Sequence, residues 1–334
     1  MIQIHPSRLR PYHTRFGAFG AVTVLLALLL GALATSCQKK PAGSAGAGGS
    51  GAKQLDVVCT VGMITDVARI IGADRAQVFG LMGEGVDPHL YKASPGDIRR
   101  LTQANIVLYG GLHLEGRLGD VLAKLGDGKV VRAVSETIDP KLLRTPPEFE
   151  GQHDPHVWFD VSLWMKAVEA VRDAYIAADE SGREGYESRA AAYLKELAEL
   201  HTWCETEIAR VPEKSRVLIT AHDAFGYFGH AYGIEVRAIQ GISTDSEAGV
   251  SGINNLVDLI VSREIPAVFV ESSVPRKTID ALVEGCTARG HKVKVGGELF
   301  SDAMGKDGTA EGTYVGMVRH NVRTIVDALL SGEK

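Results

Sequence analysis

The chain has 334 residues, with 41 acidic side chains against 36 Lys and Arg and a formal net charge of −5 at pH 7. That length holds one large domain or two of ordinary size, and the acidic balance argues against nucleic acid as a partner. Of the 4 cysteines none forms a CxxC, which disfavours a thiolate zinc site; Cys59, Cys204 and Cys286 lie far apart and leave one disulfide open.

In chain order, residues 1–36 carry Arg8, Arg10 and Arg15, no acid, and an apolar run from Ala21 to about Leu33. A positive flank, a short apolar core and small residues after it predict a secretory signal peptide; an uncleaved membrane anchor is the alternative. Cys37 follows Leu33-Ala34-Thr35-Ser36, which resembles a bacterial lipoprotein box with its leucine one place too early. Lipidation at Cys37 would tether the protein to a membrane face without spanning it. Residues 37–53, rich in Gly, Ser and Ala, read as a flexible leash. Loss of residues 1–36 would take the net charge from −5 to −8.

From residue 54 the pattern is alternating strands and helices. Strands are expected at 55–61, 77–81, 105–109 and 129–131, with helices at 65–71, 94–104 and 118–125 between them. Ser94 and Pro95 read as a helix N-cap and first helical residue. The second half repeats the pattern, with strands at 216–221, 235–239, 267–271 and 292–295 and helices at 224–232, 252–263, 276–289 and 313–330. Such alternation predicts parallel sheets with right-handed crossovers, an α/β fold. The stretch from 161 to 212 holds no strand candidate; a helix over 162–178 precedes a proline-free one over 183–211. A helix of that length runs about 40 Å, enough to act as a strut between an N-terminal lobe at 54–182 and a C-terminal lobe at 212–334. A strut of this kind predicts small domain closure.

Chemistry concentrates in a repeated triplet, Asp87-Pro88-His89 and Asp154-Pro155-His156. Proline stiffens each turn and pushes the preceding Asp into an extended conformation, so each histidine sits on a rigid corner suited to a metal ligand. Asp-Pro is also ordinary turn chemistry. In open α/β sheets ligands bind beyond the carboxyl ends of strands. His89, His156, His222 and Asp302 all follow strands there, and three imidazoles with one carboxylate can hold Zn²⁺ or a similar divalent ion. Asp87, Asp154 and Asp223 each neighbour a candidate ligand and are candidates to take its second ring N–H; each could instead only form its turn. His113 and Glu247 are weaker candidates for a place near the site. His153 reads as an exposed loop histidine, Trp158 and Phe159 as packing, and Glu271 has no explanation at this level.

The segments Val61-Gly62-Met63-Ile64-Thr65-Asp66, Leu81 to Tyr91, Asp154 to Asp160, Thr220-Ala221-His222-Asp223-Ala224-Phe225, Val270-Glu271-Ser272-Ser273 and Gly296 to Asp302 resemble the metal-binding solute-binding proteins of bacterial ABC importers, closest to the TroA type. The resemblance covers nearly all of the chain beyond the leash. It implies two four-stranded parallel α/β lobes joined by one long backbone helix, with a metal in the cleft. It places the ligand role on His89, His156, His222 and Asp302. It implies a monomer that delivers zinc, or manganese or iron, to an ABC permease with its cytoplasmic ATPase. A His-rich acidic loop found in some zinc-specialised relatives is absent here, since 139–153 holds only His153.

Two other classes stay open on the sequence. A zinc hydrolase needs a coordination place for water, and no HExxH or nucleophile elbow is present. A surface adhesin with a structural metal would also suit a lipid tether.

Overall fold

The computed structural model describes residues 54–126, 128–149, 151–245 and 249–331. The signal segment, Cys37, the leash and Glu247 lie outside them. Four parallel strands form the first sheet: β1 (Leu55–Cys59), β2 (Ala76–Gly80), β3 (Ile106–Tyr109) and β4 (Val130–Ala133), in the order β2-β1-β3-β4. Helices α1 (Gly62–Gly72), α2 (Pro95–Gln103) and α3 (Gly119–Leu122) make the crossovers. The α2 start follows the expected chemistry. The Ser94 side chain accepts from Asp97 N, and the Asp97 carboxylate accepts from Ser94 N, a reciprocal capping box with Pro95 in the first turn.

Helix α4 (Val161–Ala178) begins under an Asp160 cap, and α5 (Arg183–Ala209) follows with 27 residues. Tyr186, Ala190, Tyr193, Leu197, Leu200, Cys204 and Ile208 are buried along α5. They recur every three or four residues, which is one face of a helix. That face packs on α1 and α4 and also on elements of the second half: α6 (Gly226–Tyr232) and α9 (Tyr314–Ser331). One large apolar core therefore runs from the first sheet through α4 and α5 to α9, reaching Leu218, Phe269 and Leu299.

The second half contains β5 (Val217–His222), β6 (Glu235–Gln240), α7 (Val250–Ser262), β7 (Ala267–Glu271), α8 (Lys277–Ala288) and β8 (Lys294–Leu299). Along β5 and β7 the side chains alternate. Leu218 and Phe269 join the large core, while Ile219, Val268 and Val270 face a second core with Ile260, Ile279 and Leu282. The four strands are parallel but do not make the expected four-stranded ladder: β5 pairs with β6, and β7 with β8. The Glu271 carboxylate accepts the Ala221 and His222 backbone N–H groups at 2.7 and 2.8 Å, where a ladder would use main-chain carbonyls. The pairing of β7 with β8 also shifts register at Val268 and Phe269. Cys59, Cys204 and Cys286 are buried and free, so none of the three pairs with another. Among the described residues no helix is long and apolar enough to cross a membrane.

Candidate metal centre

The two Asp-Pro-His triplets adopt the same local geometry. Asp87 Oδ1 accepts from His89 N at 2.9 Å, and Asp154 Oδ1 accepts from His156 N at 3.0 Å. Each is an Asx turn closed by the carboxylate two residues back. His222 is the last residue of β5, and Asp302 follows β8 in a loop pinned by Trp158 Nε1 donating to Ser301 O at 3.1 Å. The Ser273 and Ser301 hydroxyls meet at 2.9 Å below it. The Asp302 loop then crosses to the first half. Tyr314 N donates to Asp66 at 2.9 Å, and Tyr314 OH donates to Trp158 O at 2.7 Å.

These elements bring four side chains to one point. One donor atom each from His89, His156, His222 and Asp302 lies within 4.8 Å of the others. The Nε2 atoms of His222, His156 and His89 stand 3.2, 3.3 and 3.6 Å from the Asp302 carboxylate. Residue exposures are 5% for His89, 0% for His156 and His222, and 1% for Asp302. The three Nε2 atoms and both Asp302 oxygens are nonetheless buried without a hydrogen-bond partner. The N···O separations allow charge attraction, but the alignment is not that of hydrogen bonds. Buried polar atoms are rarely left unmatched, and five pointing at one another is the pattern that a divalent cation satisfies.

Two of the rings are held from behind. His156 Nδ1 meets Asp154 Oδ1 at 2.8 Å, and His222 Nδ1 meets Glu271 Oε2 at 2.5 Å. A carboxylate there fixes the ring and makes Nε2 a stronger donor. Burial opposes the charged form of His156, but the hydrogen bond to Asp154 and the nearby negative charge of Asp302 outweigh it and raise the ring to about 9. Burial likewise opposes charge on His222, and Glu271 with Asp302 pushes it well above the ordinary histidine value. Burial also works against ionised Asp302, yet His222 and His156 hold that carboxyl well below its usual range. His89 has no such partner, and burial takes it down to about 4.

The other expected residues divide. Asp154 turns back onto the His156 ring. Asp87 bonds the His89 backbone, and its Oδ2 accepts from Thr244 Oγ1 at 2.6 Å, so it holds no ring. Asp223 lines a separate cavity with Arg144, Glu148 and His230 and bonds no histidine ring among the described residues. His113 is exposed in left-handed backbone and lines a cavity of about 790 Å³ away from the four ligands. His153 meets Thr145 Oγ1 at 3.0 Å. Trp158 packs, as expected, but its ring also stands edge-on to His156 at 5.2 Å. The missed residue is Glu271. Its signal was present: Ala267-Val268-Phe269-Val270-Glu271 ends a wholly buried strand in a carboxylate, and buried acids demand partners. Glu271→Gln keeps the shape but can no longer offer the ring a full negative charge. We expect it to weaken metal affinity about 10- to 100-fold, checked by competition against a chromophoric chelator.

Comparison with known proteins identifies the family. The manganese-binding lipoprotein MntA of Bacillus subtilis is 50% identical over 287 residues, covering 86% of this chain and 94% of that protein. The zinc-binding protein TroA of Treponema pallidum is 49% identical over 273 residues, covering 82% and 88%. The solved structure of periplasmic TroA from the same organism superposes with a TM-score of 0.81 at 47% identity, over 83% of this chain and 99% of that one. Residues 57–328 match the family model described as ZnuA, zinc-uptake complex component A, periplasmic. With matches that span almost every described residue, the chain belongs to the ZnuA family of metal-binding solute-binding proteins.

Proposed function

We propose that this protein captures one divalent transition metal outside the cytoplasm, through His89, His156, His222 and Asp302, and delivers it to an ABC permease. As a member of a solute-binding family it is a binding protein and not an enzyme. The observation that carries the site is the set of five buried, unpartnered donor atoms facing one another. In this reading residues 1–36 are the signal, Cys37 carries the lipid, and residues 38–53 let a monomer reach its permease from the membrane face. Residues 54–182 and 212–334 are the two lobes, joined by 183–211. His89 and His156 from the first lobe and His222 and Asp302 from the second form the shell, and the lobes close slightly over the ion.

Zinc is the ion favoured here, with manganese the alternative and Fe²⁺ behind them. Three imidazoles suit zinc, while a carboxylate that offers both oxygens also suits manganese. The named relatives pull both ways, one manganese-binding and one zinc-binding. Four buried ligands, one with two free oxygens, leave little room for the water that a hydrolytic zinc requires.

The test is a titration of chelator-treated protein with zinc and with manganese. One equivalent should bind, and the melting temperature should rise with ion concentration. At a thousand times Kd the stabilisation is about 4 kcal/mol. A melt indifferent to both ions would refute the proposal. Elemental analysis of protein from its native host decides between the metals.

A further inference from the structure

His89 differs from the other two histidines among the candidate ligands. The rings of His156 and His222 are backed by Asp154 and Glu271, but no hydrogen bond holds the His89 ring among the described residues. Its Nε2 is also the farthest of the three from Asp302, at 3.6 Å, and the residue is 5% exposed where both other histidines are fully buried. What positions His89 is its backbone. Its N–H donates to Asp87 Oδ1, and the other oxygen of that carboxylate accepts the Thr244 hydroxyl at 2.6 Å. Thr244 lies in the loop after β6, in the second half of the chain. The same two regions meet again nearby, where Arg117 Nη2 lies 3.0 Å from Asp245 Oδ1. That pair is exposed on both sides, so it adds little. The hydroxyl on a half-buried carboxylate is the stronger link, because hydrogen bonds to charged groups are the strong ones.

We propose that Thr244 is a positioning residue for metal retention: through Asp87 it clips the His89 turn to the opposite half of the chain, and His89 is the first ligand to let go when that clip opens. This rests on the metal-binding reading above. It follows from where the restraints sit. Asp154 and Glu271 are buried and grip their rings inside one half each. Of the two Asx-turn carboxylates at the site, Asp87 is the one whose second oxygen is bonded across the cleft among the described residues. Separation of the halves at Thr244 frees the His89 turn while the other two rings remain clamped. The ion would then enter and leave on the His89 side.

The test uses Thr244→Val, which keeps the shape and removes the hydroxyl, beside Thr244→Ser, which keeps the hydroxyl. Zinc dissociation is followed by stopped flow into excess chromophoric chelator. Thr244→Val should release zinc about tenfold faster than the parent, and Thr244→Ser within about twofold of it. In a His89→Ala background, where the clip has nothing to hold, Thr244→Val should leave the rate unchanged. An unaltered rate for Thr244→Val in the parent would overturn the inference, and so would an equal acceleration in the His89→Ala background. The metal-free melting temperatures of the Thr244 variants should match the parent, and a drop in Thr244→Val would assign the residue to the fold instead. Failure of the parent to bind zinc or manganese at all would sink the functional reading itself, a result read before any variant is made.

Discussion

His222→Ala is expected to weaken zinc binding on the order of a thousandfold or more while the protein stays folded. Strand β5 ends in His222, whose imidazole enters the cleft with no exposure to water. The alanine removes one of three nitrogen donors, and no other described side chain stands ready to replace it, since the only set of clustered metal-ligand groups among the described residues is this one. It also strips Glu271 Oε2 of the ring it grips. The fold should survive because Glu271 Oε1 keeps the Ala221 and His222 backbone N–H groups, and the cores on either side of β5 are untouched. Circular dichroism checks the fold and a chelator competition checks the affinity. Parent-like affinity in a folded variant would mean that the ion sits elsewhere.

The second large effect is that of pH. A ring whose pKa lies above the ordinary value holds its proton at neutrality, and a metal must take the same lone pair. His156, at about 9, and His222, well above its usual value, therefore hold their protons more tightly than an ordinary histidine, whereas His89, at about 4, gives its proton up more readily. Binding should release protons from the raised rings, so apparent affinity rises with pH and falls on acidification through neutrality. Calorimetry in two buffers of different ionisation enthalpy counts the protons directly. A flat affinity over that range would show that the site waits in its neutral form.

Much of this was legible in the sequence because the signals were local. The Ser94-Pro95 start of α2, the long α5 and the parallel β/α alternation each follow from periodicity and capping within a dozen residues. The repeated Asp-Pro-His gave two equally built corners, and both are Asx turns in the structure. Less legible were features that depend on which distant segments meet. Nothing around Glu271 announces that it lies against His222, 49 residues away. Nothing around Asp87 announces Thr244, 157 residues away. The sequence left Asp87, Asp154 and Asp223 each open between holding a neighbouring ring and only forming a turn, and only Asp154 turns back onto its own ring. In the second half four parallel strands were foreseeable, but not that a side-chain carboxylate would take the Ala221 and His222 N–H groups at the ends of β5 and β7.

The core shared by α1, α4, α5, α6 and α9 bears on how the protein works. Two halves that pack against one continuous 27-residue helix have little freedom for a wide hinge. Capture and release should then depend on small movements of the loops that carry the ligands, above all the His89 turn, which is the least restrained of them.

The central claim is that one divalent ion sits among His89, His156, His222 and Asp302. Anomalous diffraction at the zinc edge from crystals of the zinc-loaded protein tests it most directly. The account predicts a single strong peak about 2.0–2.2 Å from the three Nε2 atoms and from at least one Asp302 oxygen. A peak bonded to other residues, or a cleft in which these four side chains make no bond to the metal, would contradict it.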